Sequence, residues 1–369
     1  MKLDQLRCWC EIDLAAIDHN LRVIRRKIGP RAKILCLVKA DAYGHGLVPL
    51  ARHFAAADCQ MLGCANVREA LTLRQAGVHL PILLLSAPLD TEVPAIVSGG
   101  FALTVSSLRE ARLIARVARA RKKIAAIHLK LDTGMHRLGA DSDDFPALLE
   151  FCRRTPALRI DGVFSHLASA DEDAAFTRRQ RQLFDRLAPR DLPRHLCNSA
   201  GILTDRGDAL DFVRPGILVY GAAPLPAAQK LFRPALTWQA RVTFVKNIAR
   251  GARVSYGGTF TAPRPLTVAT VAVGYGDGLP RALSNRGAVI IGGRRCKILG
   301  RVTMDQIIVN VSGLRGVRNG SAAVLIGRQG RAQITANEMA GQAGTIAYEI
   351  FTRITERVPR IYRQGQGRR

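Results

Sequence analysis

Short apolar runs alternate with helix-like stretches over the first 230 residues, and this alternation constrains the fold more than any other feature of the sequence. Eight runs read as strands buried on both faces, at 34–38, 61–65, 82–86, 101–105, 124–131, 160–164, 195–197 and 212–213. Stretches with helical spacing lie between them, for example at 67–76, 107–120, 144–153 and 174–187. The count predicts a TIM-like (β/α)8 barrel rather than a doubly wound sheet, and no Gly-x-Gly-x-x-Gly supports a dinucleotide fold.

From about residue 231 the pattern changes to that of an all-β domain. Its β-rich stretches lie at 235–248, 253–256, 267–273, 288–291, 295–299, 306–311 and 322–326. Turn pairs such as Gly257-Gly258 and Asn319-Gly320 separate them, and a last helix at 335–343 precedes a strand predicted at 352–358. We therefore expect an α/β barrel domain over 1–230 and a mostly-β domain over 231–369. A brief strand at 9–13 opens the chain, and the first residues, about 12 of them, are expected to pack with the second domain.

Composition indicates a globular protein, since 48% of the residues are hydrophobic and 23% are charged. No apolar run is long enough to span a bilayer, and the N-terminal residues lack the apolar core of a signal peptide. A cytoplasmic location without membrane attachment is therefore expected. The eight cysteines show no metal-finger spacing, so a reduced compartment and no metal site are predicted.

The net charge of +26 is high enough to raise nucleic acid or an anionic membrane as partners. However, the basic residues are scattered, with only short clusters such as 25–27 and 121–123. None is interleaved with aromatic residues as in a platform for single strands. The charge is interpreted as a solvated surface that attracts small carboxylates and phosphates, and nucleic-acid binding is not predicted.

The first strand of the predicted barrel runs into Lys39. A buried ammonium without a partner is costly, and burial lowers its pKa, which makes the amine a good nucleophile toward a carbonyl group. The segment Tyr43-Gly44-His45-Gly46 follows, with glycines that allow a sharp turn or a close approach to a ligand. For the lysine alone, a side chain that extends to solvent is the simpler interpretation.

Further polar residues follow other predicted strands, at the end of a barrel where functional groups are found. The strand at 124–131 runs into Lys130 and the residues after it, His166 follows the strand at 160–164, and Arg214 follows 212–213. Singly, each has a structural explanation, such as a core histidine for His166. Their joint placement at strand ends predicts a site.

The loops after the last two barrel strands commonly bind phosphate groups in such barrels. Here they offer the hydroxyl of Ser199 and the main-chain amides around Gly216 and Ile217. A glycine lets the main chain approach a phosphate closely. This pattern predicts a phosphorylated cofactor.

Seven motifs, in matching order and spacing, resemble those of the alanine racemases. They are Val-Lys-Ala-Asp-Ala-Tyr-Gly-His-Gly (38–46), Lys-Leu-Asp-Thr-Gly-Met-His-Arg-Leu-Gly (130–139), Cys-Asn-Ser-Ala-Gly (197–201), Val-Arg-Pro-Gly-Ile (213–217), Val-Ser-Tyr-Gly (254–257), Gly-Tyr-Gly-Asp-Gly (274–278) and Gly-Arg-Val-Thr-Met-Asp-Gln (300–306). The resemblance implies a pyridoxal 5'-phosphate enzyme that interconverts L- and D-alanine and supplies D-alanine for peptidoglycan. It also implies a homodimer whose C-terminal β-domain contributes to the partner's active site.

The resemblance also implies a role for each matching residue. Lys39 holds the cofactor and is one base, and Tyr256 of the partner subunit is the opposing base. His166 and Arg214 are a relay and tuning pair, with Arg214 facing the pyridine nitrogen. The remaining residues match phosphate contacts (Tyr43, Ser199, Gly216, Ile217, Tyr348), the substrate-carboxylate site (Arg137 and the main chain at Met304), a lysine that is carbamylated in several members (Lys130), and supporting positions (Tyr275, Asp305).

Alternative functions remain open at this point. A broad-specificity amino-acid racemase on the same fold differs only in pocket residues that the sequence does not locate. An amino-acid decarboxylase does not need the second base that Tyr256 would supply. A non-catalytic protein that binds pyridoxal phosphate would resemble the bare barrel, and the residues after 231 argue against it.

Overall fold

The structure is a computed structural model that describes residues 3–204 and 210–365. It contains two compact units. The barrel unit consists of Asp18–Ala42 and Gly46–Phe232. The β-rich unit consists of the residues up to Ile17, the segment Tyr43–His45 and the chain from Arg233 onward. Strands and helices are numbered below in chain order, starting with β1 (Cys8–Asp13) and α1 (Leu14–Ile28).

Eight parallel strands form a closed barrel. They are β2 (Lys33–Leu37), β3 (Met61–Cys64), β4 (Ile82–Leu84), β5 (Ala102–Val105), β6 (Ala125–Lys130), β7 (Leu158–Phe164), β8 (Arg194–His195) and β9 (Phe212–Val213). The helices after α1 are α2 (Lys39–Gly44), α3 (Leu47–Ala55), α4 (Val67–Gln75), α5 (Val93–Gly99), α6 (Leu108–Ala120), α7 (Phe145–Arg153), α8 (Ala174–Leu187) and α9 (Ser199–Thr204).

The barrel closes where β2 pairs with β9, with Lys33 opposite Phe212 and Ile34 opposite Val213. All residues of β3 and β5 are buried, because side chains fill the barrel on one face and helices cover the other. The predicted (β/α)8 barrel is therefore confirmed.

The helices around the barrel begin at side chains that cap them. Asn66 accepts a hydrogen bond from the main-chain amide of Glu69 at the start of α4, Ser107 from that of Glu110 at the start of α6, and Asp173 from that of Phe176 at the start of α8. Each bond satisfies an amide that the helix itself leaves without an acceptor.

The β-rich unit is built mainly from antiparallel strands. They are β10 (Leu236–Ile248), β11 (Arg253–Val254), β12 (Phe260–Thr261), β13 (Leu266–Val271), β14 (Ala288–Ile291), β15 (Arg294–Lys297), β16 (Ile307–Asn310), β17 (Ala322–Gln329), β18 (Ala332–Ile334) and β19 (Arg360–Arg363), with helices α10 (Ala336–Ala343) and α11 (Ala347–Thr352) before β19. The long strand β10 pairs with β1, β13 and β17, and β1 also pairs in parallel with β19. The predicted mostly-β second part is thus confirmed.

The opening strand of the chain lies in this sheet, since Cys8 pairs with Ala240 and Ile12 with Leu236 on β10. Asp13 then caps α1 by accepting a hydrogen bond from the amide of Ala16. Within the described ranges, no helix has the length and apolar character needed to cross a membrane.

The strand predicted at 352–358 is wrong, because α11 continues to Thr352 and the last strand is β19. Among the described residues no strand pairs with the intervening segment, and the guanidinium of Arg360 binds several of its carbonyl groups instead. It donates to the carbonyl oxygens of Ile354 (2.7 Å), Thr355 (2.6 Å) and Val358 (2.6 Å). A side chain beyond the segment thus replaces the sheet ladder of the predicted strand.

Gly44 allows a close approach of two main-chain segments within the β-rich unit. Its φ is 75°, and an added Cβ would lie 2.1 Å from the carbonyl oxygen of Phe351. Gly77 has a similar φ of 78° with nothing within 4 Å of an added Cβ. Comparing substitutions at Gly44 and Gly77 separates the energetic cost of a left-handed backbone from that of a steric clash between the added Cβ and the main chain.

We expect Gly77→Ala to lower the free energy of unfolding by about 1 kcal/mol through backbone strain alone. Gly44→Ala should lower it by at least about 2 kcal/mol more, because main-chain atoms must move. Urea unfolding of both variants and the wild type measures the difference. Equal losses in the two variants would contradict the close approach.

Candidate active site

Five predicted site residues of the barrel unit lie at the carboxyl ends of its strands. Lys39 follows the end of β2, Lys130 is the last residue of β6, and His166 lies two residues after β7. Ser199 begins α9 after β8, and Arg214 directly follows β9. Carboxyl ends of parallel strands meet at one mouth of a barrel, so these side chains converge there.

Lys39 begins a left-handed turn. In α2 the φ angles of Ala40, Asp41, Ala42 and Tyr43 are all between 51° and 55°. Such angles cost roughly 1–2 kcal/mol per residue for residues other than glycine. A run of them is maintained only where the surrounding structure enforces it, which is typical of functional sites.

Arg214 lies in the barrel interior with 2% of its surface exposed. Its guanidinium donates to the carbonyl oxygens of Ser165 (2.6 Å) and Leu196 (2.9 Å). It also donates to Nδ1 of His195 at 2.8 Å and lies 3.4 Å from Nδ1 of His166. Burial lowers the pKa of Arg214 to about 10, so the group remains a cation at neutral pH.

Two buried imidazoles extend this network inward. Because arginine can only donate, Nδ1 of His195 accepts, and its Nε2 therefore carries the proton and donates to Nδ1 of His128 at 2.9 Å. Both rings are thus neutral, with every hydrogen bond directed away from Arg214. Burial and the nearby Arg214 hold the pKa of His195 well below its usual value, and burial lowers that of His128 to about 4.

The aromatic ring of Phe164 contacts two cations of the site. The amine of Lys130 lies 4.8 Å from its centroid, the guanidinium of Arg214 lies 5.3 Å from it, and the His195 ring stacks on it at 4.7 Å. Cations over an aromatic face are stabilised by the ring quadrupole. Burial, with Arg214 and Arg137 nearby, lowers the pKa of Lys130 to about 7.

Burial and neighbouring cations also act on Lys39 and His166. Burial first, then the charges of Arg137 and Arg214, lower the pKa of Lys39, while Glu69 opposes them. For His166, burial and the charges of Arg214, Lys130, Arg137 and Lys39 hold the pKa well below its usual value. The imidazole is therefore neutral at neutral pH, and the amine is easier to deprotonate than an exposed lysine.

Arg137 is exposed on the loop that follows β6. That loop is ordered by Asp132, whose Oδ1 accepts hydrogen bonds from the amides of Gly134, Met135 and His136 at 2.9–3.2 Å. The loop thereby presents a guanidinium whose charge affects both barrel-mouth lysines. An exposed cation held beside two amines is suited to an anionic ligand.

Ser199 and Gly216 are joined, since the amide of Gly216 donates to Oγ of Ser199 at 3.0 Å. Oγ accepts this bond, and the hydroxyl proton is then the group that a ligand can receive. Ile217, which directly follows Gly216, is buried. The structure thus brings the predicted phosphate contacts after β8 and β9 together.

The other predicted site residues lie in the β-rich unit. Tyr256 projects from a turn after β11 with 72% of its surface exposed. The preceding residue, Ser255, donates from Oγ to the carbonyl oxygen of Arg301 (2.7 Å). Met304 and Tyr275 are exposed by 53% and 41%. The amide of Tyr275 donates to the carbonyl oxygen of Thr303 at 3.0 Å, so these loops form one surface.

Asp305, Tyr43 and Tyr348 have partners within the same unit. Asp305 accepts a hydrogen bond from Arg357 at 2.8 Å. The ring of Tyr43 is buried, and its centroid lies 6.0 Å from that of Tyr348. Burial, and then Tyr348, raise the pKa of Tyr43, so it remains a neutral phenol.

Four polar residues of the barrel unit were missed in the sequence: Glu69, His128, Gln180 and His195. Buried Gln180 donates to the carbonyl oxygen of His166 (3.0 Å) and accepts from the amide of Ala168 (2.9 Å), which fixes the loop after β7. The sequence contained a signal for Gln180, because it is spaced four residues from both Phe176 and Phe184 and so lies on the same helix face as these two apolar residues. Glu69 is the fourth residue of an Asn-x-x-Glu capping pattern, which identifies a helix start and nothing further.

A family model for the alanine racemase N-terminal domain matches residues 12–224, and one for the alanine racemase C-terminal domain matches residues 235–362. The chain belongs to the alanine racemase family. It is 42% identical to the alanine racemase of Symbiobacterium thermophilum, over 98% of this chain and 99% of that protein. Members of this family are isomerases, and the predicted enzyme class is confirmed.

Solved structures of alanine racemases are similar over the whole length. The one from the D-cycloserine producer Streptomyces lavendulae has a TM-score of 0.91 and 35% identity, and covers 98% of both chains. The one from Bartonella henselae, described with covalently bound pyridoxal phosphate, has a TM-score of 0.89 and 28% identity over 97% of this chain and 99% of that one. The family predicted from the motifs is therefore confirmed.

The neutral histidines of the barrel interior predict sensitivity to acid. The pKa of His128 is about 4 in the folded chain and 6.5 when exposed, so the unfolded chain binds more protons between these values. The contribution to stability is complete above pH 6.5 and is lost as the pH falls toward 4. From His128 alone, the free energy of unfolding should fall by roughly 2–3 kcal/mol between pH 7 and pH 4.5.

Urea unfolding at both pH values tests this expectation in His128→Gln and in His79→Gln, which removes an exposed histidine. His128→Gln should be less stable at pH 7 and lose less stability on acidification than the wild type. His79→Gln should follow the wild type. The same pH dependence in all three proteins would refute the neutral state of His128.

Proposed function

We propose that this chain is a pyridoxal 5'-phosphate-dependent alanine racemase, which interconverts L- and D-alanine with two bases in a homodimer. The observation that carries the proposal is an amine of lowered pKa, Lys39, at the end of a barrel strand beside Arg137 and Arg214. Family membership implies the substrate, alanine. It also implies a cytoplasmic reaction that supplies D-alanine for peptidoglycan.

The donor set of the barrel mouth fits the cofactor. A lysine of lowered pKa suits an aldehyde, because the neutral amine is the nucleophile. The hydroxyl of Ser199 and the main chain at Gly216 and Ile217 suit a phosphate. Tyr43 and Tyr348 are proposed as further phosphate contacts because the family resemblance implies them. When bound, pyridoxal phosphate supplies an electron sink that stabilises negative charge at the α-carbon of the substrate.

Racemisation requires one group that removes the α-proton from one face of the substrate and another that returns a proton to the opposite face. We assign the first face to Lys39, whose burial and cationic neighbours favour the neutral base. We assign the opposite face to Tyr256 of the partner subunit. His166 and Arg214 adjust this site, since Arg214 can only donate and cannot readily protonate a ring nitrogen that it faces.

Arg137 is proposed to bind the substrate carboxylate, together with the main chain at Met304 of the partner subunit. Arginine binds carboxylates through two parallel hydrogen bonds. Lys130 is proposed to be carbamylated. Its pKa of about 7 leaves much of the amine neutral at neutral pH, which is the form that adds carbon dioxide, and the carbamate would pair with Arg137. Tyr275 and Asp305 are proposed to support the partner's site.

The homodimer proposal rests on the surface formed by Tyr256, Tyr275 and Met304. All three side chains are at least 41% exposed. The loops of Tyr275 and Met304 are joined by main-chain hydrogen bonds, and the turn of Tyr256 is joined to the Arg301 carbonyl by the hydroxyl of Ser255. Large apolar and aromatic side chains on ordered loops are typical of interface cores. We propose that residues 231–369 present this surface to the barrel, 1–230, of a second copy.

Formation of D-amino acids from a panel of L-amino acids tests the activity and its breadth. Alanine should react far faster than larger substrates, and comparable rates over the panel would favour the broad-specificity racemase. Lys39→Ala should reduce the rate below about one thousandth of wild type. A colourless protein that stays colourless with added pyridoxal phosphate would refute the proposal.

Tyr256→Phe tests the assignment of two bases. Racemisation should fall by about 100- to 10,000-fold, because one proton transfer loses its group. One enantiomer of alanine should still exchange its α-proton with D2O, since the remaining base serves one face, and the other enantiomer should not. Proton NMR measures both exchange rates. Equal exchange of the two enantiomers in this variant would remove Tyr256 from the mechanism.

Heterodimers isolated with two affinity tags test whether the active sites are shared. A Lys39→Ala subunit paired with a Tyr256→Phe subunit should retain about half of wild-type activity, because one site keeps both bases. The matched control pairs a wild-type subunit with a subunit that carries both substitutions. It should be almost inactive, because each site then lacks one base. Sites contained in single subunits would give the reverse result.

A further inference from the structure

The segment after Lys39 is strained, and one hydrogen bond ties it to another element of the barrel unit. Ala40, Asp41 and Ala42 have φ angles of 53°, 55° and 51°. Local bonds hold the rest of the turn, from the amide of Ala42 to the carbonyl oxygen of Val38 (2.8 Å) and from the amide of Leu47 to Oδ1 of Asp41 (2.7 Å). The amide of Ala40 instead donates to Oε1 of Glu69 on α4, at 2.7 Å.

The carboxylate of Glu69 binds two barrel strand ends at once. Oε1 accepts from Ala40 after β2, and Oε2 accepts from the amide of Ala65 after β3, also at 2.7 Å. The start of α4 holds Glu69 in place, because the amide of Glu69 donates to the cap Asn66 at 3.0 Å. We name this arrangement, the Glu69 carboxylate with the amides of Ala40 and Ala65, the Glu69 bridge.

Glu69 also affects the charge around the amine. Arg137 and Arg214 both disfavour the protonated form of Lys39, whereas the carboxylate of Glu69 favours it and so opposes part of their effect on the Lys39 pKa. The Glu69 carboxylate therefore both holds the turn after Lys39 and contributes negative charge near the amine. A substitution that keeps the charge and one that keeps the shape can separate them.

We propose that Glu69 is a positioning residue for Lys39, which holds the left-handed turn that presents the amine and balances the cations around it. The inference rests on the proposed function, because it concerns Lys39 as the lysine that captures the cofactor. In the part of the chain that the structure describes, the Glu69 carboxylate accepts hydrogen bonds from the main-chain amides of Ala40 and Ala65, and it is assigned no direct contact with substrate.

Glu110 provides a matched control. It occupies the same position on α6 as Glu69 on α4, with its amide bonded to the cap Ser107 (3.2 Å) and Oε2 bonded to the amide of Ser106 (2.6 Å). Both carboxylates are half-buried. Glu110 follows β5, whereas the Glu69 bridge reaches the segment that begins at Lys39. Glu110→Gln should therefore loosen its own loop and leave Lys39 unchanged.

The first measurement uses the cofactor-free protein. In Glu69→Gln, the side-chain amide accepts one main-chain bond where the carboxylate accepted two, and amide hydrogen exchange should accelerate by about tenfold or more at Ala40, Ala65 or both. In Glu110→Gln, acceleration should be confined to Ser106 and its neighbours. Unchanged exchange at Ala40 and Ala65 in Glu69→Gln, with unfolding midpoints matching the wild type, would overturn the bridge.

The second measurement follows capture of added pyridoxal phosphate at Lys39, by borohydride reduction and mass spectrometry of the labelled peptide across a pH series. Glu69→Asp keeps the charge but is too short to bind both amides, so capture should slow by about 10- to 100-fold with its pH midpoint unchanged. Glu69→Gln should slow capture and move the midpoint to lower pH, because the charge that stabilises the ammonium is gone. A role limited to fold stability would not move this midpoint.

The outcomes separate this inference from the proposed function. If the wild type and Glu110→Gln are labelled at Lys39, and Glu69→Gln matches them in rate and midpoint, the role of Glu69 is refuted while the proposed function stands. If the wild type is not labelled at Lys39, the proposed function is refuted, and the role of Glu69 toward that amine falls with it. Equal effects of Glu69→Gln and Glu110→Gln would also refute the positioning role.

Discussion

Burial of charged groups close to one another at the barrel mouth is the constraint on which the site depends. Burial first, and then the nearby charges of Arg137 and Arg214, lower the pKa values of both Lys39 and Lys130. Removing charges from water is costly, and like charges add to that cost. The arrangement makes both amines easier to deprotonate than exposed lysines, and it gives a mouth that attracts anions such as phosphates and carboxylates.

The fold offsets this repulsion with neutral groups. The guanidinium of Arg214 donates to two carbonyl oxygens and to His195, and the ring of Phe164 lies beside both Arg214 and Lys130. Nδ1 of His195 accepts a hydrogen bond from Arg214, and Nδ1 of His128 accepts one from His195. Protonation of either Nδ1 would therefore break a hydrogen bond. The interior of the barrel therefore stabilises one cation and keeps the adjacent histidines neutral.

Much of the fold could be predicted because the barrel strands are short apolar runs. They alternate along the sequence with stretches that have helical spacing. The strand-end placement of Lys39, Lys130, His166 and Arg214 followed from that alternation. The strand predicted at 352–358 failed because Arg360, beyond the segment, binds its carbonyl groups. The turn after Lys39 could not be predicted either, since Ala-Asp-Ala-Tyr carries no local signal for a left-handed backbone.

The sequence alone determined the two-part architecture, the family and the residues at the strand ends, because periodicity and motif spacing are local properties of the chain. Tertiary structure decided which polar groups meet. His128 and His195 lie on separate strands, and Glu69 and Ala40 are 29 residues apart. Hydrogen-bond partners and burial keep the two imidazoles neutral, and both exist only once the barrel closes, when desolvation makes each unpaired charge costly.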